Sequence, residues 1–262
     1  MNSPARKRET TMKRWMLSMA AGLLMISMAH ASFGKELVVG VSNFEPFFIE
    51  ENESGIFVDI LKEVFKLMPD YTVKFSFMTN RRLLEDINSG ALDAAVNMLT
   101  NYELNEVHLS KPAFRYRDAV IALKKNNFVI TSIADLKDKS ISTHQGSLKY
   151  LGAEFEAMAS AHPNYREMRQ NSQICEMVAS GKMDVGIEDP MVFFFDLKRM
   201  FKGEIPGSDF QIFSIFKEDY TLMGFKDPAA RDAFDAALET VKTNGTYDAV
   251  FKKYQEELGI TW

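Results

Sequence analysis

Apolar and polar positions fall into short blocks along this chain, and the blocks change period. Leu37-Val38-Val39-Gly40-Val41 is an apolar run of strand length. Ile60, Leu61, Val64, Phe65 and Met68 recur at helical spacing, which predicts a helix opened by Asp59 and stopped at Pro69-Asp70. Tyr71 to Phe77 alternates with the period of a half-buried strand, Arg82 to Asn88 is helical, and Asp93 to Asn97 and Ala119 to Leu123 read as strands. After the polar break Lys124-Lys125-Asn126-Asn127 a second series begins. It holds a short helix over Ile133 to Lys137, a strand over Ser140 to Thr143, a tight turn at Gln145-Gly146-Ser147 and a helix over Leu148 to Met158. A strand over Tyr165 to Met168, an apolar-rich helix over Met191 to Met200 and a strand over Phe210 to Phe216 follow. Two helices close the chain, one opened by Asp227-Pro228 and ended by Asn244-Gly245, the other over Tyr247 to Leu258. Alternation of strand and helix predicts an α/β fold with parallel-type sheets and helices on their faces.

One phrase occurs twice. Ile87-Asn88-Ser89-Gly90-Ala91-Leu92-Asp93-Ala94-Ala95-Val96 returns as Val178-Ala179-Ser180-Gly181-Lys182-Met183-Asp184-Val185-Gly186-Ile187. Each copy follows a helical run and leads into an apolar strand, with Gly as the helix stop because it accepts the left-handed conformation. Helix–Gly–strand junctions are common, but two matching copies favour two similar lobes, and facing lobes make a cleft for a ligand.

The N-terminus changes how much chain this covers. Lys13 and Arg14, the apolar run Met16 to Met28 and Ala29-His30-Ala31 have the layout of a cleaved signal peptide over residues 1–31. That run, of about thirteen residues, is too short to span a membrane. Cleavage removes five basic residues and one acidic residue, taking the formal charge from −5 to −9. An acidic chain argues against nucleic acid as a partner. Cys175 is the only cysteine, so no internal disulfide forms, and its place in a helical run suits a small core residue.

In open α/β sheets ligands sit beyond the carboxyl ends of the strands. The residues there are Asn43 and Phe44, Asn80 and Arg81, Asn97 and Thr100, His144, Gly146 and Ser147, and Glu188 and Asp189. The set suits a small polar ligand. Gly146-Ser147 precedes a helix, so its free N–H groups offer either an anion site or an ordinary helix cap. Phe44 could stack on a ligand, and Asp189 could hold an ammonium group or cap the helix that follows it. No His/Cys cluster with metal spacing, nucleophile elbow or phosphate loop occurs, so no catalytic residue, metal or cofactor is expected.

The order of these motifs resembles the periplasmic solute-binding proteins of family 3, the polar amino-acid receptors of ABC importers. The motifs are Phe44 to Phe47, Gly55 to Asp59, Ser89 to Asp93, Ser110 to Pro112, Ile133 to Lys137, Gln145 to Ser147, the second phrase, and Asn244-Gly245-Thr246. The resemblance implies two Rossmann-like lobes joined by a two-strand hinge, the type II periplasmic binding protein fold. Lobe one would hold residues 35–122 and 223–262, and lobe two residues 123–222. It further implies a monomeric periplasmic receptor that clamps an amino acid or derivative and presents it to an ABC permease. A membrane sensor is the alternative partner. An enzyme resembling cyclohexadienyl dehydratase, with Glu188 as general acid, is a remoter alternative. The resemblance puts Asn97, Thr100, Gly146, Ser147 and Asp189 at ligand-contacting positions and Asn80 and Arg81 in the pocket wall, and with Phe44 these are the expected ligand-contacting residues. One departure stands out: the family's carboxylate-binding Arg is replaced by Glu103 or Asn105, depending on alignment. Arg81 is the candidate substitute.

Overall fold

The computed structural model describes residues 34–260; the expected signal peptide, 1–31, lies outside the described residues. In chain order the strands are β1 (Lys35–Val41), β2 (Tyr71–Phe77), β3 (Ala94–Met98), β4 (His108–Leu109), β5 (Phe114–Tyr116), β6 (Ala119–Leu123), β7 (Ile141–His144), β8 (Tyr165–Met168), β9 (Val185–Glu188), β10 (Phe210–Phe213) and β11 (Asp219–Phe225). The helices are α1 (Ile56–Lys66), α2 (Asn80–Ser89), α3 (Ser147–Tyr150), α4 (Ala153–Ala159), α5 (Asn171–Ala179), α6 (Pro190–Phe201), α7 (Pro228–Thr243) and α8 (Thr246–Leu258).

The strands form two sheets. One runs β2-β1-β3-β11-β4, with β5 also paired to β11; the other runs β10-β6-β9-β7-β8. β1 and β3 are parallel, as are β7 with β8 and with β9. β11 joins β3 antiparallel, and β6 joins both β9 and β10 antiparallel. The sheets are therefore mixed, and the expectation of parallel-type sheets alone is corrected. The antiparallel strands lie next to the two passages of chain between the sheets, at residues 117–118 and 214–218. A chain that crosses over and returns must enter each sheet against the local direction. By sheet membership, β6 belongs wholly to the second sheet and β11 to the first, so both passages precede the expected boundaries at 122 and 223.

The repeated phrase does the same work in both sheets. Gly90 and Gly181 take φ of 80° and 72° and end α2 and α5. Asp93 Oδ2 then accepts the Val38 N–H of β1 at 2.8 Å. Asp184 Oδ2 accepts the Ser140 N–H ahead of β7, also at 2.8 Å. Each Asp fastens the start of its strand to the neighbouring parallel strand, satisfying a backbone donor that the ladder leaves over.

The first sheet packs on α1, α7 and α8 around an aromatic core. Phe47 stacks on Phe57 with centroids 4.5 Å apart, and both are fully buried. The helix expected over Leu148 to Met158 is two helices, because Gly152 adopts φ 97° between α3 and α4. Side chains of β6 alternate: Ile121 and Leu123 face the cluster holding α5 and α6, while Val120 and Ala122 face Phe155 of α4.

Candidate functional site

Strand ends from both sheets converge on a cavity of about 350 Å³. Phe44 and Asn80 follow β1 and β2, and Tyr116 ends β5. From the passage between the sheets comes Asp118, and from the second sheet come His144 at the end of β7, Arg169 after β8, Glu188 at the end of β9, and Asp189. Carboxyl ends of strands are where an α/β sheet leaves side chains free to face a ligand. A larger depression of about 890 Å³ lies along α1 and β2. Its charges answer one another, as in Lys253–Asp59 at 3.1 Å, so it offers less to a solute.

Asp189 is 7% exposed and caps α6 by accepting the Met191 N–H at 2.9 Å. Its other oxygen accepts the Arg117 N–H at 2.8 Å, from the passage between the sheets. Burial pushes its carboxyl up to about 7, against the pull of those two N–H groups. Glu188 is 1% exposed, and among the described residues its two carboxyl oxygens are the only buried side-chain polar atoms without a hydrogen-bond partner. Burial, then the charges of Asp196, Asp118 and Asp189, hold this carboxyl well above its usual range, with Asn171 acting in the other direction. His144 Nε2 lies 3.4 Å from Asp118 Oδ2. Burial opposes charge on that ring, but Asp118, the Gln145 carbonyl and Glu167 together outweigh it and the pKa is raised.

Of the residues expected to contact ligand, Phe44, Asn80 and Asp189 line this cavity. Asn97 stands behind it, 8% exposed at φ 57°. Its carbonyl accepts the hydroxyls of Tyr116 and Thr221 at 3.1 Å, and its amide donates to Asn80 Oδ1 at 3.2 Å. With both ends of the amide in use, Asn97 positions Tyr116 and Asn80. Thr100 is exposed in the turn after β3 and does not line the cavity. Arg81 does not line it either: its guanidinium pairs with Glu85 at 2.8 Å, one helical turn on, with 88% of the side chain exposed. Ser147 is fully buried, its hydroxyl donating to the His144 carbonyl at 2.7 Å.

The anion site expected at Gly146-Ser147 is already filled from within the protein. The N–H groups of Gly146 and Leu148 donate to the two carboxylate oxygens of Glu167, each at 2.9 Å. Burial works against the Glu167 charge, yet these N–H groups hold its carboxyl below the ordinary range. At the far end of α2, Asn88 donates to the Glu103 main-chain carbonyl at 2.9 Å and accepts the Asn105 N–H at 2.8 Å, so it holds the backbone of the loop in which the resemblance leads one to expect an Arg. Sequence reasoning missed Arg169. Its signal was available, because it immediately follows the strand expected over Tyr165 to Met168 and so stands at a strand tip.

The model of the bacterial extracellular solute-binding proteins, family 3, matches residues 37–257. The L-cystine-binding protein TcyJ of Bacillus subtilis (strain 168) is 23% identical over 231 residues, covering 83% of each chain. Among solved structures, an ancestral cationic amino-acid solute-binding protein superposes with TM-score 0.65 at 21% identity, covering 84% of this chain and 95% of the other. A histidine kinase sensor domain similar to periplasmic binding proteins superposes with TM-score 0.58 at 15% identity, covering 84% and 96%.

Proposed function

Because the chain belongs to the family 3 extracellular solute-binding proteins, we propose that it is an extracytoplasmic receptor that grips one small polar solute between its two sheets. The observation that carries this reading is the cavity itself, lined by strand ends of both sheets, with a buried carboxyl that has no partner inside the protein. A buried polar atom without a partner costs roughly 1–3 kcal/mol, which a bound donor offsets. Asp189 offers a second acceptor for an ammonium group, and Phe44 offers a ring face.

The passages between the sheets act as the hinge in this reading. Arg117 on one passage pairs with Glu218 on the other, while the Arg117 N–H holds Asp189. A solute that draws on Asp189 therefore pulls on the hinge, and closure follows binding. The closed form is handed to an ABC permease. A second reading, in which it reports to a membrane signalling protein, is favoured by the likeness to the kinase sensor domain.

Thermal unfolding across a panel of amino acids, small carboxylates and amines tests the reading. A saturable rise in Tm with one chemical class is expected. No rise with any of them would remove it.

A further inference from the structure

We propose that the solute is an organic amine cation without an α-carboxylate, gripped by Glu188 and Asp189 beside the ring of Phe44; this rests on the reading of the cavity as the solute site. An amino acid needs a place for its carboxylate, and the protein has closed two such places. The loop after β3, residues 99–107, carries Glu103 and Glu106 and no Lys or Arg. The turn ahead of α3 has given the Gly146 and Leu148 N–H groups to Glu167, each at 2.9 Å. An incoming carboxylate there would meet a resident carboxylate. Even at an exposed turn such as this one, like charges a few ångströms apart repel by about 1 kcal/mol.

The cavity instead favours positive charge. It is lined by three carboxyl side chains, Asp118, Glu188 and Asp189, against the guanidinium of Arg169 and the imidazole of His144, which faces Asp118. Their burial differs, and burial decides which counts more. Arg169 is exposed at the rim, where water and salt screen it. Glu188 is 1% exposed with both oxygens unpartnered, so its field on a ligand is screened least. An ammonium group supplies the missing donors and makes ionisation of Glu188 favourable. Without such a donor, burial and the neighbouring Asp196, Asp118 and Asp189 hold that carboxyl well above its ordinary pKa. Phe44 and Tyr116, with ring centroids 6.5 Å apart, add faces that attract a cation. Among the described residues no three His, Cys, Asp or Glu side chains are grouped to hold a metal ion, so a molecular cation is the better match.

Calorimetric titration with matched pairs tests this: putrescine against ornithine, agmatine against arginine, histamine against histidine, with a panel of neutral polyols alongside. In any pair that binds, the amine is expected to bind at least about tenfold more tightly than its parent amino acid. Glu188→Gln is expected to erase that preference. A parent amino acid that binds as tightly as its amine, or more tightly, overturns the proposal and leaves the receptor reading standing. Arg169→Gln would then weaken the amino acid. Saturation by a neutral polyol alone also overturns only the proposal. Binding by no member of any series removes the proposal together with the reading beneath it.

Discussion

Replacing Asp189 by Asn should flatten the way stability falls with rising pH. The Asp189 carboxyl is 7% exposed, and burial lifts its pKa from 3.8 to about 7. The unfolded chain gives up that proton near pH 4, while the folded protein keeps it to about pH 7. Between those limits the native state binds more protons than the unfolded state, so stability drops as pH rises. The slope from this one group is about 1.4 kcal/mol per pH unit, reaching roughly 4 kcal/mol by neutrality and no more above it. Asn carries no proton and loses the slope. It does not come free: the two oxygens of the carboxyl group accept two N–H bonds, from Arg117 at 2.8 Å and Met191 at 2.9 Å, and an amide oxygen can replace only one. The other N–H then faces an NH2 group, at about 1–3 kcal/mol independent of pH. The variant should be the less stable protein near about pH 4.5 and should draw level or pull ahead near about pH 8. Urea unfolding of both proteins at a series of pH values measures the difference. A difference constant to within about 0.5 kcal/mol over that range would refute the burial argument.

Other substitutions probe the rest of the account. Phe57→Ala removes a fully buried ring stacked 4.5 Å from Phe47 and should cost about 3–5 kcal/mol in urea unfolding. Gly55→Ala forces a side chain onto φ 114° with its Cβ 2.6 Å from the Phe47 carbonyl, and should lower stability by at least about 2 kcal/mol. Arg81→Ala should leave solute affinity and Tm unchanged, since the side chain faces solvent and pairs only with Glu85; a loss of affinity would restore it to the site. Cys175 is buried, and burial pushes its thiol well above the usual range. It should resist thiol reagents in the native protein and react on unfolding.

Much of the architecture was legible because it is written locally. The two Ser-Gly-x-x-Asp phrases announce two similar units, and Asp93 and Asp184 repay that reading by fastening equivalent strands. The bounds of β2, β6 and β8 match the alternating or apolar runs that predict them. What stayed hidden depends on pairing between distant segments. Glu167 looks like one polar position in a short strand. Only the register of β7 on β8, which sets Thr143 beside Glu167, brings its carboxylate to the Gly146 turn. β11 was hard to see because it is mixed in character and enters the first sheet from the far end of the chain. Arg81 looked like a substitute cation by position alone, but α2 turns its side chain toward Glu85 and solvent.

The most direct test is electron density from crystals of the protein soaked with the tightest-binding member of the titration panel. The account predicts one solute molecule in the cavity, with a polar nitrogen on Glu188 or Asp189 and its body against Phe44. A solute bound elsewhere, with those carboxyls still facing an unfilled cavity, would contradict it.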